Sequence, residues 1–511
     1  MSLGGINLRL GPGLIIAGNI VGSGELIATT AVGATAGFVL LWLIILGCII
    51  KVFTQVEFGR YTVTRGEAAM VMLNEMPGPR FPRRVSWTIW AWFFMFIFGV
   101  AQLGGIVGGV GQALSISAPL TEDGRLQNEI VDCQKELDVK KRYIDLIAAR
   151  QDELSAEQRA QSDALRDDIA QLETRLEELG ESPGSNDDRY WTIILAVVTS
   201  AMLVAGRYSF IQNLATALVV LFTGVTILNV VLLQLNPVLS ITSSEFVSGL
   251  RFELPPAPTF GEGAGDSNAG ILLALSAMGI IGVGASELVY YPYWCLEKGY
   301  ARFTGPRDDS EAWSQRARGW MRVLRADAWC SAAIYTFATV AFYLVGAATL
   351  GRFQLEAKGT EMVRTLAVMY EPVFGEYARV IFLFGAIAVL YSTLFVSCAS
   401  YARVIPDGLR VVGLPIDSEA ARRRSVKVVS GIFPFLCTGV YLFVQAPALM
   451  VFWGGVIQGI MLPLLAGCAI YFRYRRGDDR VKPGRAWDLF LWISALVMLC
   501  TGLATVVLIA K

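Results

Sequence analysis

The chain has 511 residues, 54% hydrophobic and 17% charged, with 43 basic and 43 acidic side chains and no histidine. Zero formal charge excludes a nucleic-acid footprint, and the missing histidine removes the commonest transition-metal ligand and the usual proton relay at neutral pH. The chain is too apolar for a soluble protein of this length, and several stretches exceed the ~18 apolar residues that mark a membrane-spanning helix. Its eight cysteines are scattered without a Cys-x-x-Cys pair, so they read as buried small side chains rather than disulfides or metal ligands.

The N-terminal stretch carries one positive charge and runs into a glycine-broken apolar segment, which reads as a first spanning helix and not a cleaved signal. In chain order the pattern predicts eleven spans: roughly 11–34, 38–59, 86–116, 190–206, 210–235, 270–297, 327–350, 376–402, 427–445, 447–472 and 486–510. The basic loops test this count. Arg60, Arg65, Arg80, Arg83 and Arg84 follow span two, and Lys298, Arg302, Arg307, Arg316, Arg318, Arg322 and Arg325 follow span six. Arg403, Arg410, Arg422, Arg423, Arg424 and Lys427 follow span eight, and Arg473, Arg475, Arg476, Arg480, Lys482 and Arg485 follow span ten. All are even-to-odd loops and fall on one side, which the positive-inside rule makes cytoplasmic. The N-terminus is then cytoplasmic and the C-terminus, Lys511, extracytoplasmic, in a multi-pass protein of the cell (inner) membrane.

Span three holds Gly99, Gly104, Gly105, Gly108, Gly109 and Gly111, spacing that lets a neighbouring helix approach closely. Residues 121–188 are different material. Leu126, Ile130, Cys133, Leu137, Ile144 and Ile147 follow 4-3 spacing, as do Leu165, Ile169, Leu172, Leu176 and Leu179. Between them Ser155-Ala156-Glu157-Gln158 has the form of a capping box, and Gly180 and Pro183 end the second arm. This predicts an antiparallel coiled-coil hairpin inserted in the loop after span three, extracytoplasmic, its surface solvated or available to a protein partner.

Two apolar segments carry nearly the same phrase: Val21-Gly22-Ser23-Gly24-Glu25-Leu26-Ile27 and Val283-Gly284-Ala285-Ser286-Glu287-Leu288-Val289. A carboxylate in the hydrocarbon region costs roughly 2.5–3.5 kcal/mol on insertion scales, and the preceding glycines weaken the helix. The first ten spans divide as five plus five, with Glu25 in the first span of one half and Glu287 in the first span of the other. An odd repeat length inverts the second half, so two broken helices face each other near the midplane. Glu25 and Glu287 supply two negative charges for one divalent cation. Breaks at Gly22-Ser23-Gly24 and Gly284-Ala285-Ser286 free backbone carbonyls, and Ser23 and Ser286 add hydroxyls. Lys51 is the one strong candidate for a structural counter-charge, or snorkels toward the membrane surface. Pro292, among Tyr290, Tyr291, Tyr293 and Trp294, reinforces the second break; the aromatics read as packing or as a cation–π wall. Ser392, Thr393 and Ser397 in span eight bond helix backbone or line a path, and Gln458 among the span-ten glycines is a further site candidate.

These residues resemble the natural resistance-associated macrophage protein (NRAMP) family of divalent-metal transporters. Gly11-Pro12-Gly13-Leu14, Gly33-Ala34-Thr35-Ala36-Gly37-Phe38 and Leu462-Pro463 match its motifs, over about 440 residues that exclude the hairpin. The resemblance implies the leucine-transporter (LeuT) fold. Counting back from Gly33, the family's Asp-Pro-Gly-Asn falls on Gly22-Ser23-Gly24-Glu25, so the metal-binding Asp is Gly22 and the Asn is Glu25. The family's Met-Pro-His-Asn in helix six is absent, and Glu287 lies in the corresponding break. Its tenth-helix Gln aligns on Gly455, with Gln458 nearby. Losing the Met sulfur and gaining a carboxylate suits hard cations, as in the branch that includes magnesium transporters. The Asp and His associated with proton coupling are both missing.

The sequence thus predicts an all-α membrane protein with eleven transmembrane helices in a five-plus-five inverted repeat, broken at helices one and six. The transporter domain takes 1–120 and 189–511, with repeat one about 11–235, repeat two about 270–472 and an extra helix at 486–510; the hairpin takes 121–188. The expected activity is transport, not enzymatic catalysis, of a divalent metal cation, Mg²⁺ and/or Mn²⁺, by alternating access, with no cofactor. Glu25, Glu287, Gly22, Ser23, Ala285, Ser286 and Gln458 form the expected metal site. The competing readings are an amino-acid or organic-cation permease of the same fold, suggested by the Gly-Ser-Gly of amino-acid permeases, and a transporter-derived sensor or scaffold.

Overall fold

The computed structural model describes residues 11–81, 84–150, 156–206, 208–261 and 264–510. The capping-box residue Ser155 and the N-terminal ten residues lie outside them. The first apolar segment forms α1 (Pro12–Ile20), a turn at Val21–Gly22, a π-helical turn (Gly24–Thr29) and α2 (Thr30–Ala36), the two parts bent by 42°. Then come α3 (Leu41–Arg65), α4 (Trp87–Ser117), α5 (Glu122–Arg150), α6 (Ala156–Leu179), α7 (Asp187–Val204) and α8 (Tyr208–Leu233). The second half contains α9 (Ser267–Ile280), α10 (Ala285–Glu297), α11 (Glu311–Gly346), α12 (Ala378–Val411), α13 (Glu419–Val444), α14 (Pro447–Tyr471) and α15 (Arg485–Ile509). A two-stranded antiparallel ribbon pairs Arg80 with Ser86 and Phe81 with Val85.

Among the described residues, eight helical stretches are long and apolar enough to cross a membrane, or nine counting the bent pair α1–α2. The eleven expected spans exceed this number. The fourth and fifth fall on α7, which does not reach that test, and on α8, whose apolar part is the shorter Val219–Leu233. Several predicted loops are helix. Arg60 lies inside α3, buried and bonded to Glu57 at 3.0 Å, and Arg316, Arg318, Arg322 and Arg325 lie inside α11. The helices run beyond the apolar windows because straight-chain basic residues continue a helix readily.

Apolar side chains cover much of the outside, and several charged groups are buried within the apolar core. On α15 the exposed side chains include Leu489, Phe490, Trp492, Ile493, Leu496, Leu499, Leu503, Val506 and Val507, all apolar. Lys51, Glu25 and Asp327 are completely buried. That inversion suits a lipid surround, where polar groups are satisfied internally.

Helices meet where a side chain is missing. A Cβ at Gly279 of α9 would lie 2.0 Å from the Gly455 carbonyl oxygen of α14, and one at Gly455 would lie 2.5 Å from the Ser276 oxygen. Gly33 of α2 and Gly346 of α11 likewise meet the backbone of Tyr343 and Thr30. In α4, Gly104, Gly105 and Gly108 accept Met450, the Pro447 carbonyl and Tyr441, so the glycine stripe serves close packing.

Helices α5 and α6 are joined by Lys140–Asp168 (2.8 Å), Lys141–Glu173 (2.7 Å) and Arg175–Glu129 (2.6 Å), pairs whose numbering runs in opposite directions along an antiparallel pair. Helix α6 ends where Gly180 takes a positive φ of 73°, a conformation glycine adopts without strain. The pair does not stand free. Asp132 binds Arg364 (2.9 Å) and Arg379 (2.5 Å), Lys135 binds Glu361, and Arg142 donates to the carbonyls of Phe353 and Gln354. All these partners belong to the connection between α11 and α12 or the first turn of α12.

At the base of the pair, Asp187 accepts from the Leu120 amide (2.6 Å), the Thr121 amide (3.2 Å) and the Thr121 hydroxyl (2.8 Å). Burial alone would raise its pKa, but the Thr121 and backbone hydrogen bonds outweigh that and hold it below the usual carboxylate range. A depressed folded-state pKa contributes stability that is present above the unfolded value of about 3.9 and is lost as pH falls through the folded one. Limited proteolysis should therefore find the base closed at pH 5 and opened only as the pH falls well below the unfolded value of about 3.9. Asp187→Ala should already be open at pH 7; equal protection of both proteins would refute the clamp.

Candidate functional site

The two broken helices meet at a small cavity of about 20 Å³, room for one water or one nearly bare ion. Its polar lining includes Asn19, Ser23, Gln102, Ser286, Glu287, Thr393, Ser397, Tyr401 and Gln458, with Tyr290 beside them. The lining has no Met, Cys or His, and among the described residues no group of three or more His, Cys, Asp or Glu could hold a metal.

Glu287 sits in the first turn of α10, where the helix dipole favours an anion. Asn19 Nδ2 donates to its Oε1 at 2.7 Å. Gln458 Oε1 accepts from the Ser286 amide at 2.9 Å, and Gln458 Nε2 donates to Gln102 at 2.6 Å. Gln458 therefore caps α10 and aims Glu287, with one acceptor lone pair already engaged. The Ser286 hydroxyl is 3.4 Å from that of Tyr401.

The break in helix one is held by α12. Val21 ends the α1 ladder by donating to the Ala17 carbonyl, which leaves the Gly18 and Asn19 carbonyls without helical partners. Ser392 donates to Gly18 O (3.1 Å), Thr393 to Asn19 O (2.9 Å) and Ser397 to Asn19 Oδ1 (2.8 Å). The span-eight hydroxyls thus do both things open to them: all three bond helix one, and Thr393 and Ser397 also face the cavity.

Four sequence candidates, Ser23, Ser286, Glu287 and Gln458, line the cavity, whereas Glu25, Gly22 and Ala285 are not among its lining residues. Glu25 turns the other way. Its Oε1 accepts from Thr339 of α11 (3.0 Å) and its Oε2 from the Gly22 amide (3.3 Å). The reason is local. The chain re-enters helical geometry at Ser23 and continues as a π-turn, so the break covers Val21–Gly22 rather than 22–24, and the Gly22 amide at the break is met by the Glu25 carboxylate. The Gly22 carbonyl is also not freed, because it accepts from Leu26 N at 2.8 Å. A Cβ at Gly22 would lie 1.8 Å from Thr393 Oγ1, so no side chain fits where the family's Asp would stand. The second break likewise covers Ile281–Gly284, with Ala285 and Ser286 already in α10.

Lys51 does not snorkel. It is fully buried, and its Nζ donates to Met278 O at 2.7 Å and to Ile281 O. The aromatic residues after Glu287 mostly pack: Tyr291 donates to Asp327, Trp294 to Ser400, and only Tyr290 reaches the cavity, edge-on to Tyr401. Asp327 is a buried carboxylate that accepts from the Gly11 and Gly13 amides at 2.8 and 2.6 Å, capping α1.

Sequence reasoning missed Asn19, Gln102, Tyr401 and Asp327. Asn19 and Gln102 had a signal, an amide side chain inside an apolar span, and only the turn of each helix shows which cavity it faces.

A family model described as natural resistance-associated macrophage protein-like matches residues 186–508. No protein of curated function matches the chain. Two structures of the Eremococcus coleocola manganese transporter, one of a variant and one bound to an aromatic bis-isothiourea compound, are each 13% identical with a TM-score of 0.57. The first covers 97% of this chain and 85% of its own, the second 98% and 86%. The structure of MhsT with L-phenylalanine is 14% identical with a TM-score of 0.50, covering 96% of this chain and 98% of its own. At these identities the likeness is one of fold, and the fold is of the LeuT type.

Proposed function

The chain belongs to the natural resistance-associated macrophage protein family, and from that membership we propose that it carries a divalent metal cation, Mg²⁺ or Mn²⁺, across the cell membrane by alternating access. It is a multi-pass membrane transporter and not an enzyme. The observation that carries the metal reading is the cavity itself: one carboxylate, Glu287, surrounded by neutral oxygen donors between two helix breaks, with no sulfur or imidazole in the lining. Oxygen donors suit Mg²⁺ and Mn²⁺.

Glu287 is the charged ligand, with the Ser23 and Ser286 hydroxyls supplying neutral oxygens and Asn19 holding the carboxylate in place through its amide NH2. Glu25 adds negative charge from behind the break, and its carboxylate occupies the Gly22 amide that an amino-acid carboxylate would need. That contact disfavours the permease reading. Helices α7 and α8 complete eleven spans with the N-terminus cytoplasmic, an orientation supported by the one-sided basic loops. Residues 121–188 then form an extracytoplasmic coiled-coil hairpin on the transporter domain.

The small volume makes a demand the sequence did not anticipate. About 20 Å³ admits only a nearly dehydrated ion. Mg²⁺ gives up water reluctantly, so this conformation favours Mn²⁺ modestly, and Mg²⁺ enters when the half-helices part. In proteoliposomes, millimolar Mg²⁺ should inhibit Mn²⁺ uptake and itself be transported; failure of both would overturn the magnesium assignment. Cd²⁺ should gain no preference, because Cys295 is buried and off the cavity lining.

A further inference from the structure

Lys51 lies on α3, one helix away from the cavity, and the transport reading does not use it. It has no access to solvent. Burying an ammonium costs several kcal/mol unless hydrogen bonds replace its water. Here the replacement is specific. Ile281 N bonds back to Ala277 O at 2.8 Å and ends the α9 ladder. Gly282 then turns with φ of 59°, so the carbonyls of Met278 and Ile281 have no helical donor. Both point at Lys51 Nζ. They stand at the C-terminal, negative end of a half-helix. Carbonyls freed at such an end are what broken-helix transporters offer to a free monovalent ion. Glu25 and Glu287 are both close enough to act on the same charge.

We propose that the Lys51 ammonium is a tethered monovalent cation, filling for good the carbonyl site at the end of α9 that a free Na⁺ or K⁺ would otherwise occupy. The protein then holds a +1 charge beside its two acidic groups without drawing it from solution. Lys51 is a positioning residue: it fixes the end of α9 and offsets one carboxylate while touching neither the cavity nor the transported ion. The idea builds on the transport reading, but its first test does not depend on flux.

Lys51→Ala vacates the site. The thermal stability of the purified variant should then rise by several degrees with 100 mM Na⁺, K⁺ or methylammonium relative to choline, while the unaltered protein responds equally to all four. In proteoliposomes the variant's Mn²⁺ uptake should fall at least tenfold in choline and recover at least fivefold with one of the small cations. Uptake by the unaltered protein should survive replacement of all Na⁺ and K⁺ by choline. A variant whose stability ignores the cation, or an unaltered protein that needs Na⁺ or K⁺, would overturn the proposal. If Lys51→Ala cannot be purified in any of these cations, Lys51→Gln decides. Its amide can still donate to the carbonyls but carries no charge, so it should fold and transport at least tenfold more slowly; normal transport would show that the charge is not needed. Flux lost in every protein, with the stability response intact, would count against the metal reading and not against this one.

Discussion

Glu287→Gln is expected to abolish divalent-metal transport while leaving a folded protein. The substitution keeps the size of the side chain and its place in the first turn of α10, where Gln458 still caps the helix through the Ser286 amide. What it removes is the only charge on the cavity lining. Loss of a mere supporting partner around a metal typically costs 10–100-fold in affinity. Loss of the sole charged ligand to a nearly dehydrated dication should therefore exceed about 100-fold. Calorimetry with Mn²⁺ on the purified variant and uptake in proteoliposomes measure the two halves of the effect. Glu25→Gln is the informative partner, because its carboxylate bonds Thr339 and the Gly22 amide instead of facing the cavity. It should keep measurable binding and lose less than the Glu287 variant. Equal losses would mean that both carboxylates hold the ion, and unimpaired binding by Glu287→Gln would remove the site.

Gly279→Val should prevent folding. At this crossing of α9 and α14 the added Cβ would lie 2.0 Å from a backbone carbonyl oxygen and 2.6 Å from the Gly459 amide nitrogen. Neither atom can move without shifting a whole helix. Overpacking a core usually costs about 1–3 kcal/mol when side chains yield; here nothing flexible is in the way, and the cost should be larger. The crossing lies just before the helix-six break, so separation of α9 from α14 would also pull Gln458 off α10. Size-exclusion chromatography of the detergent-solubilised protein should show aggregation. Gly439→Ala in α13 is the control, since nothing lies within 4 Å of the new Cβ. It should be neutral or stabilise by roughly 0.5–1 kcal/mol, the usual gain of alanine over glycine within a helix. A well-folded Gly279→Val protein would show that the crossing is not as close as described.

The twofold Gly-x-x-Glu phrase announced two broken helices, and both breaks exist, each beginning one to three residues earlier than the glycines suggested. Composition was enough for that, because a glycine run with a carboxylate is costly in an apolar helix wherever the chain goes next. The spans with strong apolar windows were legible for the same reason: hydropathy is a local property and the bilayer imposes a fixed length on it. The direction of a side chain is not local. Whether Glu25 faces the cavity depends on its bonds to Thr339 and to the Gly22 amide, partners that no local pattern reveals. Asn19 reaches Glu287 only because α12 holds the end of α1. Lys51 read as a counter-charge or as a surface-seeking side chain, and the second reading fell only because α9 ends against it. The residue types, and hence an oxygen-donor set without sulfur or imidazole, were determined by the sequence alone. Which of them share the 20 Å³ between the half-helices was decided by the tertiary structure, because that depends on how five spans turn against one another.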